Sequence, residues 1–130
     1  MIGPNSKINI ADNSGATLVN CINVPSNRKN VAGLGDVVSC SIRGISNTES
    51  RPDGSKASKV RKGDTCYALI VNTSKKYKRA NGICLSFRSN KGVLITKQKS
   101  LASTRIFTLI PYESRNESFL KLFTMGVTCI

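Results

Sequence analysis

The sequence predicts a mainly β fold, in which short strands close into a small barrel and one short helix follows. Three observations indicate this class. Apolar and polar residues alternate with a period of two over Val37–Ile45, as expected for a strand buried on one face. Glycine, asparagine, aspartate and proline recur between the apolar runs, where they favour tight turns. Helical spacing of apolar residues is found only in the last segment of the chain.

Five or six strands are expected in a single domain spanning residues 1–130, with the barrel at about 7–110. A chain of 130 residues is long enough to bury its own core. Closure into a barrel is favoured because it removes exposed strand edges. The predicted strands are Lys7–Ile10, Thr17–Val24, Val37–Ile45, Thr65–Asn72, a return strand through Ile83, Leu85 and Phe87 that leads to Val93–Ile95, and Arg105–Ile110.

One predicted strand and two predicted turns have distinctive compositions. The continuous apolar run Ala68–Val71 predicts a strand buried on both faces. Asp12–Gly15 and Gly33–Asp36 are interpreted as turns. The glycines of the second turn do not form a phosphate cradle, because no Lys-Ser/Thr pair follows them.

The C-terminal segment, about 113–126, predicts a short amphipathic helix that docks on the sheet. Ser114 and Glu117 have the spacing of a capping box. Gly126 lies where a helix C-terminus is expected. The apolar face of this helix is predicted to contain Phe119, Leu120, Leu122 and Phe123.

The cysteines predict neither a metal site nor another cofactor. The chain has five cysteines and no histidine, and no C-x-x-C pair occurs, whereas zinc sites use paired cysteines or histidines. Most of the cysteines lie in apolar or alternating runs, where a free thiol packs as a small hydrophobic group. We therefore expect reduced core thiols and a reducing compartment. The cysteines are Cys21, Cys40, Cys66, Cys84 and Cys129.

The acidic residues argue against an enzyme. General acid–base catalysis needs a positioned proton donor and acceptor, and histidine is absent. The few carboxylates are explained as turn residues, as helix-start residues or as members of a long polar loop. In that order they are Asp12, Asp36 and Asp64; Glu113 and Glu117; and Glu49 and Asp53.

A net charge of +13 predicts a polyanionic partner. The three candidates are nucleic acid, an acidic protein for which the chain would be a basic barrel adaptor, and an anionic membrane. No apolar run approaches the roughly 20 residues that span a bilayer, and the short predicted helix carries a glutamate. The membrane is therefore the weakest of the three, and we expect no membrane partner.

Most of the cations lie in predicted loops and at a hairpin tip, from which they can reach phosphates. Aromatic residues make up only 5% of the chain, and Tyr77 is the one ring inside a basic cluster. This composition favours recognition of folded RNA by backbone and shape over stacking on single strands. The predicted RNA-binding residues are Arg28, Lys29, Lys56, Lys59, Arg61, Lys62, Lys75, Lys76, Lys78, Arg79, Lys97, Lys99 and Arg105.

The segment from Ala68 to Leu94 has a distinctive spacing of small, aliphatic, turn and aromatic residues. These are Ala68, Leu69-Ile70-Val71, Asn81-Gly82, Phe87, Asn90 and Val93-Leu94. Further motifs are Ala11–Ala16, Gly33–Asp36, Val60–Asp64, Ser103–Phe107 and Glu113–Phe119. The segment resembles the signature of the L-fourteen family of large-subunit ribosomal proteins, and the further motifs match this family in the same order over about residues 7–126, the last in its bacterial form.

The resemblance implies a five-stranded barrel with a projecting β-ribbon and a short C-terminal helical segment. It also implies a structural protein that binds large-subunit rRNA and contacts small-subunit rRNA at an intersubunit bridge. The implied protein partners are the neighbouring large-subunit protein nineteen, which pairs with an edge strand, and a ribosome silencing factor. The silencing factor would dock near the C-terminal segment, so Arg115 and Lys121 are its candidate contacts.

Departures from the family pattern suggest an organellar ribosome, with a mitochondrial one preferred over a plastid or bacterial one. Arg88-Ser89 replaces an acidic residue of the relatives, and Thr108-Leu109 replaces Gly-Pro. The loop from Ser46 to Ser58 is longer than in bacterial relatives. Because no targeting leader precedes the first strand, we expect an organelle-encoded gene.

Overall fold

A computed structural model describes residues 1–25, 30–46, 60–115 and 119–130. Within these ranges the chain forms nine strands, one 3-10 helix and one α-helix. The strands are β1 (Lys7–Ile10), β2 (Ala16–Asn23), β3 (Val37–Ile45), β4 (Thr65–Asn72), β5 (Tyr77–Lys78), β6 (Cys84–Leu85), β7 (Lys91–Ile95), β8 (Ile106–Ile110) and β9 (Gly126–Cys129). The 3-10 helix is Tyr112–Ser114, and α1 is Leu120–Met125.

Five strands close into a barrel in the order β1-β2-β3-β4-β7. All neighbouring pairs are antiparallel except β1 and β7, which run parallel and close the ring. The predicted small barrel is therefore confirmed. The bounds of β1, β3 and β4 agree with the predicted strands, because the hydrophobic pattern and the flanking turns mark both ends of each.

Gly92 allows three strands to meet at the closure. It pairs with Ile10 of β1, and its amide carbonyl accepts a hydrogen bond from the Ala11 backbone at 3.0 Å. A Cβ atom at this position would lie 3.1 Å from the carbonyl oxygen of Leu69 in β4. A residue without a side chain therefore lets β1 and β4 approach β7 from both sides.

The Asp12–Gly15 segment forms the predicted turn and also extends the closure. The buried Asp12 carboxylate accepts hydrogen bonds from the Ser14 N–H at 2.9 Å and from the Leu94 N–H at 2.8 Å. The carboxylate thereby accepts a hydrogen bond from β7 at a point beyond the end of β1. The Asn13 side chain accepts from the Thr104 N–H at 3.1 Å, which ties the turn to the segment before β8.

Two hydrophobic clusters lie on opposite sides of β4, which confirms its predicted burial on both faces. Ala68 and Ile70 point into the barrel with residues such as Ile8 and Val19, whereas Leu69 and Val71 point outward. Each fully buried aliphatic side chain contributes about 1.5–3 kcal/mol. The outer cluster consists of Leu69, Val71, Val93, Ile95, Ile106, Ile110, Phe119 and Leu122.

The segment between β4 and β7 forms a short two-stranded ribbon, β5–β6, outside the barrel. Its turn is at Asn81-Gly82, as predicted: Gly82 has a φ of 85°, and the Arg79 N–H donates to the Ile83 carbonyl at 2.8 Å. The return strand is shorter than predicted. Ile83 is 55% exposed and Phe87 is half-buried, because the ribbon projects away from both clusters.

The C-terminal segment differs from the predicted helix. The helix α1 has six residues and begins after Phe119, which makes no side-chain cap. Ser114 instead ends the 3-10 helix, and Glu117 lies outside the described residues. The chain continues as β9, which the sequence did not predict and which pairs in parallel with β8. Gly126 follows the last residue of α1, as predicted, and a Cβ atom there would collide with the Ile110 side chain.

The thiols are only partly in the core. Cys21 and Cys40 are buried and Cys66 is half-buried, whereas Cys84 and Cys129 are exposed, so the prediction was wrong for Cys84, which lies on the ribbon. Cys40 and Cys66 are directly paired across β3 and β4, with 3.4 Å between their sulfur atoms. This hydrogen bond raises the pKa of Cys40, and burial raises it further. The same hydrogen bond lowers the pKa of Cys66, and burial opposes that change. Burial raises the pKa of Cys21.

Alkylation of the cysteines should follow their order of exposure. With iodoacetamide at mildly alkaline pH, we expect Cys84 and Cys129 to be modified first in the native protein, because both thiols are exposed. Cys66 should follow, and Cys21 and Cys40 should react only after unfolding. Peptide mass spectrometry over time checks the order, and protein in guanidinium serves as the control in which all five react. Rapid labelling of Cys40 in folded protein would contradict the described β3–β4 pairing.

Candidate nucleic-acid interface

The acidic side chains in the described part of the chain are all engaged within the protein. The Asp12 carboxylate accepts from two backbone N–H groups of the barrel closure. Asp36 accepts from the Gly33 N–H at 2.8 Å, and Asp64 from the Arg61 N–H at 3.2 Å. Glu113 forms an ion pair. These three aspartates therefore act as turn and backbone caps, as the sequence analysis expected for them.

Most of the predicted RNA-binding cations for which the structure gives a position are exposed. Four of the thirteen predicted residues lie outside the described ranges: Arg28, Lys29, Lys56 and Lys59. The exposed ones are Arg61, Lys62, Lys75, Lys76, Lys78, Lys97, Lys99 and Arg105.

The exposed cations are not gathered in one site. Because β4 and β7 are antiparallel, the connection before β4 and the connection after β7 leave the same end of the barrel. The first carries Arg61 and Lys62, and the second carries Lys97 and Lys99. The ribbon joins the other ends of β4 and β7, so its lysines project from the opposite end. Within the described residues, the cations that flank β4 and β7 and the lysines of the ribbon therefore form two separate groups of positive charge.

The lysines after β7 are held by a tight turn. The Thr96 N–H donates to the Ser100 carbonyl at 2.8 Å, and the two hydroxyl oxygens lie 2.6 Å apart. Lys99 has a φ of 59°, a left-handed conformation that lets the turn reverse. The turn borders an open pocket of about 410 Å³ that also includes Tyr67. Lys97 and Lys99 are thus fixed near the outer face of the barrel.

Arg79 differs from the exposed cations named above because its guanidinium forms an ion pair within the protein. Its guanidinium forms a two-pronged ion pair with Glu113, with 3.0 Å between Nη2 and Oε2. Nη2 also donates to the Ile130 carbonyl at 3.1 Å. The hydrogen bond with Glu113 raises the pKa of Arg79, and it lowers the pKa of the Glu113 carboxyl. Arg79 therefore ties the ribbon to the C-terminal segment.

The predicted protein-partner residues lie on two different elements. Arg115 follows the 3-10 helix, and its guanidinium carbon is 6.0 Å from the centre of the Tyr112 ring. Lys121 is on α1, and both side chains are exposed. Arg115 shares an open pocket with Arg79, Tyr77 and Tyr112. Sequence reasoning missed this arrangement, because nothing in the local pattern pairs the ribbon with the residues after β8.

A second exposed surface lies on the β8–β9 sheet. Phe107, Leu109 and Val127 are 61%, 44% and 73% exposed. They border an open pocket of about 490 Å³ together with Phe87 and Arg88. The alternation of β8 buries Ile106, Thr108 and Ile110, so Phe107 and Leu109 face outward. Arg88, which departs from the family pattern, lies at the edge of this apolar surface.

In the described residues no helix is long and apolar enough to cross a membrane, and no group of three or more potential metal-ligating side chains occurs. A family model for ribosomal protein L14p/L23e matches residues 1–130. The chain belongs to this family. It is therefore related to structural proteins of the large ribosomal subunit rather than to enzymes. Ribosomal RNA and ribosomal proteins are its expected classes of partner.

The residues that resemble the L14 signature have structural roles in the core, in the ribbon turn and at close backbone contacts. Ala68 and Val93 are buried in different clusters, and Asn81-Gly82 forms the ribbon turn. The Asn90 side-chain oxygen accepts from the Ser74 N–H at 3.0 Å and thereby closes the ribbon base. In the second motif, a Cβ at Gly35 would lie 3.2 Å from the backbone of the 3-10 helix. These positions therefore shape the scaffold.

The Arg79–Glu113 pair predicts a pH-dependent contribution to stability. Because the folded-state pKa of Glu113 is lowered, its contribution is present above the ordinary glutamate pKa of about 4.3 and is lost as pH falls through the folded-state pKa. We expect Glu113→Gln to lower the melting temperature by a few degrees at neutral pH and to have no effect in strong acid. Thermal melts from pH 7 to pH 2 measure this difference.

Arg115→Gln is the matched control, since it removes a neighbouring charge that is not part of the ion pair. Its melting temperature should follow the wild-type pH dependence. Parallel curves for wild type and Glu113→Gln across the whole range would show that the pair does not stabilise the fold.

Proposed function

We propose that this L14 protein is a structural constituent of the large subunit that binds large-subunit rRNA through its exposed loop cations. The observation that carries the proposal is the separation of charge: the acids of the described chain are engaged internally, whereas most loop cations are exposed. Phosphate oxygens are then the available counter-charges. The proposal includes four further cations on the sequence pattern alone: Arg28, Lys29, Lys56 and Lys59. It also includes Arg79, whose role is to hold the ribbon against the C-terminal segment.

The two separate groups of cations support contact with more than one RNA segment. Each group sits on turns that are fixed by hydrogen bonds, such as the Thr96–Ser100 turn and the Asn81-Gly82 turn. Fixed cations bind a rigid phosphate pattern with a smaller loss of conformational entropy than mobile ones. We propose that one group binds large-subunit rRNA and that the other contributes to an intersubunit bridge with small-subunit rRNA.

Two protein partners are also proposed. The exposed apolar surface on β8–β9, with Phe107, Leu109 and Val127, supports coverage by the neighbouring large-subunit protein nineteen through edge-strand pairing. The exposed Arg115 and Lys121 support docking of a ribosome silencing factor beside the C-terminal segment. Both assignments extend what the family resemblance implies.

We propose a mitochondrial ribosome as the site of action, on the bacterial-type motifs and the longer loop. We expect the protein to co-sediment with mitochondrial large subunits and to resist moderate salt, because many simultaneous contacts hold it. Nuclease treatment should release it, whereas an adaptor bound to an acidic protein would stay in its complex. Recovery with plastid or cytosolic ribosomes would contradict the mitochondrial assignment, and recovery only as free protein would contradict the ribosomal one.

The salt dependence of rRNA binding tests the loop cations directly. We expect Lys76→Ala with Lys78→Ala on the ribbon, and Arg61→Ala with Lys62→Ala at the other end, each to lower the slope of log affinity against log salt. Each lost phosphate contact removes about one unit of slope. Filter binding of a large-subunit rRNA fragment at several salt concentrations gives the slopes.

The matched control removes the same charge from strands instead of loops, as Lys7→Ala with Arg43→Ala. Both residues are exposed on β1 and β3, so general electrostatics change equally while no loop contact is lost. If all three double variants lower the slope by the same amount, the loops hold no special role in RNA binding.

A further inference from the structure

Two exposed tyrosines from distant parts of the chain line the same pocket. Tyr77 is on the ribbon strand β5 and is 45% exposed, and Tyr112 is in the 3-10 helix and is 64% exposed. They border an open pocket of about 680 Å³, which we call the ribbon pocket. It is lined by Tyr77, Arg79, Ala80, Asn81, Tyr112, Glu113 and Arg115. Only three tyrosines occur in the chain, so the placement of two at one pocket needs an explanation other than core packing.

The charges of the ribbon pocket favour an anionic ligand. Glu113 is the one acidic residue lining it, and its carboxylate is already bound by Arg79. Arg115 remains, with its guanidinium at 6.0 Å from the Tyr112 ring centre, within the range of a cation–π contact. Lys76 and Lys78 lie close by in sequence on the same exposed ribbon. A cationic side chain of a partner protein would be repelled here.

The pocket is also held in shape by internal bonds. The Arg79–Glu113 pair joins the ribbon to the 3-10 helix, and Arg79 also holds the Ile130 carbonyl. The Asn81 side-chain oxygen accepts from the Ile83 N–H at 3.1 Å, which fixes the ribbon turn. Tyr77 and Tyr112 are therefore carried by two elements that are tied together, and little ordering is required when a ligand binds.

We propose that the ribbon pocket receives an unstacked RNA base, which stacks on Tyr77 or Tyr112 while Arg115 contacts its phosphate. Aromatic faces flanked by arginine are a common arrangement for binding unpaired nucleotides. The proposal rests on the proposed rRNA binding and deepens it: beside contacts to phosphates, the protein has one site for a base that is turned out of its helix. The sequence-based expectation of recognition by backbone and shape alone is thereby extended.

The test compares two RNA hairpins that differ only in one unpaired purine bulge. The double variant Tyr77→Leu with Tyr112→Leu should bind the bulged hairpin about 5-fold to 150-fold more weakly than wild type. It should bind the fully paired hairpin unchanged, and its salt slope should be unchanged because stacking releases no counterions. Because the chain has no tryptophan, quenching of tyrosine emission by the bulged hairpin reports the contact directly.

Two control variants make the result specific. Tyr67→Leu removes a tyrosine at a different pocket, on the outer face of β4, and should behave as wild type. Tyr77→Phe with Tyr112→Phe keeps the rings and should retain the preference for the bulge. Unchanged binding of the fully paired hairpin by the leucine variant shows that its loss on the bulged hairpin is not caused by misfolding.

The outcomes separate this inference from the proposed function. If wild type binds large-subunit rRNA but the leucine variant distinguishes the two hairpins as wild type does, the base site is wrong and rRNA binding stands. If the leucine variant binds all RNA normally yet is lost from assembled subunits, the pocket holds a protein instead, which also overturns the inference. If wild type binds neither hairpin nor rRNA, both proposals fail.

Discussion

The structure depends on the burial of β4 on both faces. Its inward residues, Ala68 and Ile70, complete the barrel core, and its outward residues, Leu69 and Val71, support the cluster to which β8 and α1 contribute. A strand with one polar face would leave the outer cluster without a base, and the C-terminal segment would have no surface to pack on. The ribbon depends on the same strand, because it begins directly after Asn72 and returns to β7, the partner of β4.

The carboxylates of the described residues have structural roles in this strongly basic chain. Asp12 replaces a missing strand partner of Leu94 in the barrel closure, and Glu113 joins the C-terminal segment to the ribbon through Arg79. Both contacts connect parts of the chain that are far apart in sequence. Since the acids of the described residues are used in this way, they do not neutralise the exposed loop cations. Within the described part of the chain, the scaffold and the proposed RNA contact are therefore linked.

Regular patterns allowed most of the barrel to be predicted. The period-two alternation of Val37–Ile45 and the apolar run in Thr65–Asn72 define strands, because the side chains of a strand alternate between its faces. Prediction failed where the local pattern was ambiguous. Apolar residues near the C-terminus have helical spacing, but helix α1 is short and gives way to β9, since β8 offers a free edge and Gly126 packs against Ile110. The exposure of Cys84 was missed for a related reason: alternation marks a strand but does not show whether either face is covered.

For the site, the types and local positions of the charged residues could be read from the chain, but their partners could not. By itself the sequence determined the fold class, the main strands and turns, the excess of cations in loops and the resemblance to the L14 family. These depend on composition and on neighbours within a few residues. Only the tertiary structure decided that Arg79 is bound to Glu113, at a separation of 34 residues, and that Tyr77 and Tyr112 face one pocket. Such pairs form because the 3-10 helix that follows β8 lies beside the ribbon. The position of β8 is set by the outer cluster and not by any local pattern.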